Sequence, residues 1–221
     1  MINIAIDGPS GAGKSTIARR VAKDLGFIYI DTGAMYRTVG LAAVNAGLDP
    51  KKDIGEIIKL LDKTDIDISH KGGEQRMLLN GADVSDQIRT PIISIAASDV
   101  GVIPEVRQKM LELQRAMADK HNCIMDGRDI GTYVLPNAKI KIFLTADVED
   151  RARRRYEELM SKGEKVSYED VLADMKYRDN NDSSRECMPL KKADDATLIN
   201  TTGFELEKSV KLISDFIRKN L

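Results

Sequence analysis

The chain has 221 residues, 42% of them hydrophobic and 31% charged, enough to bury a core and too apolar for a disordered tail. Lys+Arg 34 against Asp+Glu 35 leaves a net charge of −1, which argues against a broadly basic surface for nucleic acid or anionic membrane and leaves room only for a local basic cleft. Two cysteines (Cys123, Cys187) and two histidines (His70, His121) fall in no CxxC or HxxxH spacing, so neither a disulfide framework nor a structural metal site is expected. The first residues carry no basic start, and Asp7 interrupts their apolar run. No stretch reaches the roughly 20 apolar residues of a membrane span. The expectation is a soluble, reduced, cytoplasmic protein without nucleic-acid or membrane partners, and a monomer.

In chain order, Ile2–Ile6 reads as a strand and Ser15–Leu25 as a helix, with Ile17, Val21 and Leu25 at four-residue spacing. Phe27–Ile30 is the next strand. A helix over Asp53–Lys63 precedes a hairpin region, Ile66–Ser85, where Lys71-Gly72-Gly73-Glu74 and Asn80-Gly81 are turn signals between short alternating strands. Helices follow over Thr90–Val100 and Pro104–Ala118, each with a proline near its start. Cys123–Met125 and Ile140–Leu144 are strands. Asp147–Lys162 and Ser167–Asn180 are helices, the second opened by the capping box Ser167-Tyr168-Glu169-Asp170. Strand Thr197–Ile199 and helix Glu205–Lys219 close the pattern. Strand and helix in alternation imply an α/β fold with a parallel sheet covered on both faces. Segment 32–119 reads as an insertion on a core built from the two ends of the chain.

Between the first strand and the first helix, Gly8-Pro9-Ser10-Gly11-Ala12-Gly13-Lys14-Ser15 fits GxxxxGK[ST], and Thr16 follows it. Glycines let the backbone curl around a polyphosphate, the amides and the helix N-terminus supply partial positive charge, and Lys14 adds a full one. The Ser15 hydroxyl is a candidate for Mg²⁺. The reading is an NTP site.

Neither an NKxD guanine signature nor a DxxG on a switch strand accompanies it. The strand Cys123–Met125 ends in Asp126-Gly127-Arg128-Asp129, without the Asp-Glu pair of an ATP-driven motor. Asp126 remains a second candidate for the Mg²⁺ shell. Polar segments instead carry arginine after arginine, which suits a kinase whose acceptor is itself an anion. A nucleoside monophosphate is already largely ionised, with a second pKa of about 6, so no base need remove a proton. Arginine binds such phosphates bidentately and is always charged. A nucleotide-hydrolysing regulatory module, or a kinase for another monophosphate, remains open on these residues alone.

IAIDGPSGAGKST, DTGAMYR, IRT, MDGRDIGT, VLPNAKIKIFLTA and the RDNNDSSR stretch together resemble the bacterial cytidylate (CMP) kinases, within the P-loop nucleoside monophosphate kinases. The resemblance runs nearly end to end. It implies ATP-dependent phosphorylation of CMP and dCMP with Mg²⁺. It also implies a P-loop kinase fold: a five-stranded parallel sheet with helices on both faces, an inserted acceptor-binding domain with a small antiparallel sheet, and a helical lid. The corresponding division is 1–31, 120–150 and 186–221 for the core, 32–119 for the CMP-binding domain and 151–185 for the lid and following helix.

Carried over by motif, Thr32, Tyr36 and Arg37 are expected at the acceptor, with Arg37 and Arg128 on its phosphate. Asp129 is expected near the cytosine, and Ser98 and Arg107 as the base-reading pair. Arg178, Asp182 and Arg185 match an Arg…Asp…Arg pattern serving the acceptor and the transferring group; Asn181 and Ser183 stand where many relatives have further arginines. The broader family suggests Arg151 and Arg155 for ATP, Arg155 acting in catalysis. Plainer readings stand beside these. Tyr36 could be core, Arg107 a solvated residue, and Arg151–Arg155 a basic face paired to Asp147, Glu149 and Asp150. Arg178, Asp182 and Arg185, at i, i+4 and i+7, could be an exposed ion-pair ladder worth about 0.3–0.5 kcal/mol per pair.

Overall fold

Ile4, Ala5 and Ile6 are each 0% exposed, as a strand covered on both faces requires. They form β1 (Asn3–Asp7) in the computed structural model, which describes residues 1–71 and 74–221. Helix α1 (Lys14–Leu25) follows the glycine-rich loop, and β2 (Ile28–Asp31) leads directly into α2 (Thr32–Asn45). Sequence periodicity does not reveal α2. Met35, Val39, Leu41 and Ala43 bury much of its circumference, so no broad polar face marks the helical period. Its start is fixed by Asp31, whose side chain accepts from the Ala34 N–H at 2.8 Å.

Helix α3 (Ile54–Asp62) precedes an antiparallel sheet of β3 (Ile66–Lys71), β4 (Glu74–Leu79) and β5 (Ala82–Asp83). Register runs from Ile66 opposite Leu79 to His70 opposite Gln75. Asn80 and Gly81 have φ of 50° and 80°, the left-handed pair an Asn-Gly hairpin turn needs. Of the expected turn at Lys71-Gly72-Gly73-Glu74, the central Gly72 and Gly73 lie outside the described residues. Thr90 caps α4 (Pro91–Val100) by accepting from Ile93 N, and α5 (Pro104–Ala118) follows.

Next come β6 (Cys123–Gly127), a π-helical turn over Ile130–Val134, β7 (Ile140–Thr145), α6 (Val148–Ser161), α7 (Tyr168–Ser184), β8 (Thr197–Asn200) and α8 (Leu206–Asn220). Ser167 caps α7 as expected, but the helix runs past Asn180 and takes in Asp182.

Among the described residues, the strands of the main sheet are all parallel and ordered β2-β6-β1-β7-β8. One face buries Ile17 and Val21 of α1 and Ile213 and Ile217 of α8; each fully buried isoleucine contributes about 1.5–3 kcal/mol. The other face packs Met125 and Ile30 against Leu111 and Ala118 of α5 and Ile130 of the π turn. A third cluster lies within the inserted segment, joining Met35, Ile57, Met77, Ile93, Val106 and Met110. Helix α5 therefore serves two cores, its first half the insertion and its second half the main sheet. The carboxyl ends of β1, β2 and β6 open together beneath the insertion, where ligands of open parallel sheets bind.

Candidate active site

A cleft of about 1010 Å³ lies over those strand ends. Ser10, Gly11, Ala12, Gly13, Lys14, Ser15 and Thr16 line it on one side. Gly8 and Pro9 do not; they shape the loop. A Cβ on Gly8 would stand 1.9 Å from the Leu144 carbonyl oxygen, so only glycine lets the loop leave the sheet here. Gly13, at φ 85°, turns the chain into α1 with its N-terminus facing the cleft. The Pro9 carbonyl accepts from Lys14 Nζ at 2.7 Å. Lys14 is 5% exposed, and burial, aided by the Arg128 charge, lowers its pKa to about 7. An anion in the cleft would restore the ammonium.

Ser15 Oγ donates to Asp126 Oδ2 at 2.9 Å, and Tyr29 donates to Asp126 Oδ1 at 2.8 Å. Burial, then the nearby Asp31 charge, pushes the Asp126 carboxyl above its ordinary value. A hydroxyl beside a buried, repelled carboxylate fits a hard cation such as Mg²⁺. Among the described residues no three His, Cys, Asp or Glu side chains converge, so such an ion would take its other oxygens from phosphate and water.

Across the cleft stand Thr32, Tyr36, Arg37, Ser98, Arg107, Arg128, Asp129, Arg178, Asp182 and Arg185. Thr32 Oγ1 donates to the Asp126 carbonyl at 2.7 Å, tying the start of α2 to the end of β6. Arg37 pairs with Asp31 at 3.0 Å, and Tyr36 lies under the Arg107 guanidinium, 5.4 Å from its ring centre. Arg107 is not solvated. Its side chain is 1% exposed, pairs with Asp129 Oδ2 at 2.5 Å and donates to the Gly101 carbonyl. Arg185 NH2 lies 3.6 Å from the other Asp129 oxygen, so both oxygens of Asp129 face arginine.

Asp182 is no part of an exposed ladder. It is 8% exposed, accepts from Arg128 Nε at 2.6 Å and meets Arg185 at 3.3 Å. Burial raises its pKa, but Arg128 and Arg185 outweigh that and hold it below the ordinary carboxylate value. Arg178 is different. Its Nε is buried with no hydrogen-bond partner among the described residues, and burial plus the Arg128 charge brings its pKa down to about 10. Arg37 Nε and Arg107 Nε are unpartnered as well.

Of the two arginines expected at ATP, Arg155 lines the cleft and pairs with Glu158 at 2.7 Å. Arg151 does not reach it. Its guanidinium donates to the carbonyls of Ser10 and Ala146 and pairs with Asp179 at 2.7 Å, while Asp179 also accepts from Ser10 N. The four-residue spacing put both on one helical face, but Arg151 lies closer to the sheet and is used up against the loop itself.

Several contributors escape the motif reading. Gln75 Oε1 accepts from Asp31 N at 2.8 Å and its Nε2 donates to the Asp31 carbonyl at 3.2 Å, so the small sheet holds the residue that holds Arg37. Asp7 accepts from Ile130 N and Gly131 N at 2.8 and 2.7 Å, clamping the π turn beside Asp129. Arg154 bonds the carbonyls of Thr201 and Phe204 at the far end of the cleft, and Arg89 lines its rim. Arg89 sits within the quoted IRT run and Arg154 within the basic cluster, signals that carried no assignment.

The sequence profile described as cytidylate kinase matches residues 4–219. A cytidylate kinase of Caldicellulosiruptor saccharolyticus is 50% identical over 218 residues, 99% of this chain and 96% of that one. One of Carboxydothermus hydrogenoformans is 51% identical over 220 residues, covering 99% of both chains. A crystal structure of an uncharacterized protein from Eubacterium ventriosum shares the fold alone, with TM-score 0.53 and 15% identity over 99% of both chains. With its profile match nearly end to end and relatives at half identity, this chain belongs to the cytidylate kinase family.

Proposed function

We propose that the protein transfers the γ-phosphoryl group of ATP to the phosphate of CMP or dCMP, giving ADP and CDP or dCDP. The observation that carries this is Arg178, a guanidinium without a hydrogen-bond partner on its buried Nε, in the wall facing Lys14 across one cleft. A cation so placed is satisfied by a phosphate, and a second phosphate belongs on the loop opposite.

The P-loop amides and Lys14 hold the donor phosphates, and Arg155 reaches them from α6. Arg37, Arg128 and Arg185 hold the acceptor phosphate, while Arg178 meets the charge on the moving group. Asp182 orients Arg128 and Arg185 and faces the acceptor sugar. Ser98, Arg107 and Asp129 form the wall for the base. Ser15 and Asp126 would hold Mg²⁺, which supplies charge neutralisation on the donor oxygens when bound. The acceptor oxygen is already ionised, so the residues align two anions in line and need no general base. Segment 151–185, which holds most of α6 and all of α7, acts as the lid, and 32–119 as the acceptor domain.

A coupled ADP-release assay with CMP, dCMP, UMP, AMP and GMP tests this. CMP and dCMP should be the preferred acceptors. ATP hydrolysis unstimulated by any monophosphate, or preference for a purine, would overturn the proposal.

A further inference from the structure

Helix α7 shows two working faces. Arg178 and Asp182 point into the cleft. Tyr177 and Asn181, also four residues apart but turned about 100° around the axis, point at α4. There Tyr177 OH donates to Asp99 Oδ1 at 2.5 Å. Asn181 Nδ2 donates to the same oxygen and to Ser98 Oγ, both at 3.3 Å. From the loop before α3, Lys51 Nζ sits 4.6 Å above the centre of the Tyr177 ring. Asp99 is 7% exposed and Ser98 8%, and Ser98 lines the cleft.

We propose that Tyr177 and Asn181 are positioning residues that fix Ser98, through its neighbour Asp99 and directly, so that acceptor-base recognition on α4 and the phosphate-binding residues on α7 are set as one piece. This rests on the acceptor reading given above. A buried carboxylate demands donors, and Asp99 takes them from another element. The Ser98 hydroxyl, a rotor with several staggered settings, is held in one of them by an amide that belongs to the catalytic helix. Binding the base thus presses on the helix that carries Arg178, and displacement of α7 releases the base contact. Asn181 stands where an arginine would place a longer side chain and a charge; the amide suits a hydroxyl and a carboxylate side by side.

The alternative is a plain staple between two helices, and a kinetic cycle separates them. Wild type, Tyr177→Phe, Asn181→Ala, Ser98→Ala and the Asn181→Ala/Ser98→Ala double variant are compared for KM with CMP, KM with ATP, the CMP-over-UMP ratio of kcat/KM, and melting. Asn181→Ala should raise KM for CMP about fivefold, the value of one hydrogen bond, and reduce CMP-over-UMP selectivity, with KM for ATP unchanged. In the Ser98→Ala background it should add less than about twofold, because its route is already cut. Tyr177→Phe keeps the ring under Lys51 and should raise KM for CMP about threefold. Additive effects in the cycle, or lowered melting with unchanged KM for CMP, would overturn the inference. A wild-type enzyme that ignores CMP would instead remove the acceptor reading, and the cycle repeated on the monophosphate it does use would still decide the role of Asn181.

Discussion

Arg107 and Asp129 meet at 2.5 Å with side chains 1% and 6% exposed, an ion pair sealed between α5 and the turn that follows β6. The cleft wall is therefore set by a charge pair shared between insertion and core. Breaking such a pair from one side leaves a buried charge and costs about 3–5 kcal/mol. Arg107→Met should lower the urea midpoint accordingly. Adding Asp129→Leu should recover only part of the stability, since Arg185, 3.6 Å from the other Asp129 oxygen, then loses a carboxylate as well, while CMP turnover stays impaired. Recovery of both together would mean the pair serves stability alone.

Asp182 makes its prediction through pH. An exposed ladder and a working residue differ in their effect on melting, but burial removes that contrast: both now cost stability. Its carboxyl lies below the ordinary 3.8, so its contribution is complete above that value and is lost as the pH falls through the lower folded value. Asp182→Asn should therefore be less stable than wild type at pH 7 by about 3 kcal/mol, the low end for a buried pair because Arg128 is 20% exposed. The two unfolding curves should converge as the pH drops below 3.8. Separately, kcat/KM should fall tenfold or more, about 1.4 kcal/mol of transition-state binding, with a changed dCMP-to-CMP ratio. Identical curves at pH 7 would show that Asp182 is not charged in the folded state.

Arg37 and Arg155 should fail on opposite sides. Calorimetry on Arg37→Ala should show CMP binding weakened about tenfold, the worth of one charged hydrogen-bonded contact, with ATP-analogue binding unchanged. Arg155→Ala should reverse that pattern or slow the phosphoryl step. Loss of ATP affinity in Arg37→Ala would exchange the two halves of the cleft.

Lys14→Met should reduce turnover by about 100-fold or more, as expected when a charge aimed at the transition state is lost. Its melting temperature should be unchanged or higher, because the side chain is 5% exposed and its charge is disfavoured by burial. A thermal scan beside the ADP-release assay checks both. Near-normal turnover would remove the P-loop lysine from the chemistry.

The sequence exposes what obeys short-range rules. The phosphate loop is written in consecutive residues, the main-sheet strands fall within one or two residues of their expected bounds, and Asn80-Gly81 turns as its φ preferences dictate. Helix α2 is hidden because burial nearly all round erases the periodicity that betrays helices. Lys14, Thr32, Arg37, Arg128, Arg178 and Asp182, from separate motifs, meet in the cleft. Arg151 does not, since spacing along a helix says which side chains share a face and not how deep each one lies. The same limit hides Asp7 and Gln75: their partners, Ile130 and Asp31, are made neighbours only by the tertiary fold. A charge run likewise could not distinguish an arginine whose Nε donates to a carbonyl and whose guanidinium pairs with a carboxylate, such as Arg151, from one with a buried unpartnered Nε, such as Arg178.

The pairing of the Gln75 amide with the backbone of Asp31 reaches beyond the cleft. Strand β2 is one of the two edge strands in the order β2-β6-β1-β7-β8, and an uncovered outer strand is a template on which other chains can add. Gln75 occupies that rim as a neighbouring strand would, with one acceptor and one donor. Segment 32–119 thus covers the Asp31 end of this edge. A species whose insertion has melted while the core persists presents Ile28–Asp31 bare, and heat-induced aggregation should seed there. Gln75→Ala, which removes that cover without touching the P-loop, should aggregate at a lower temperature than wild type.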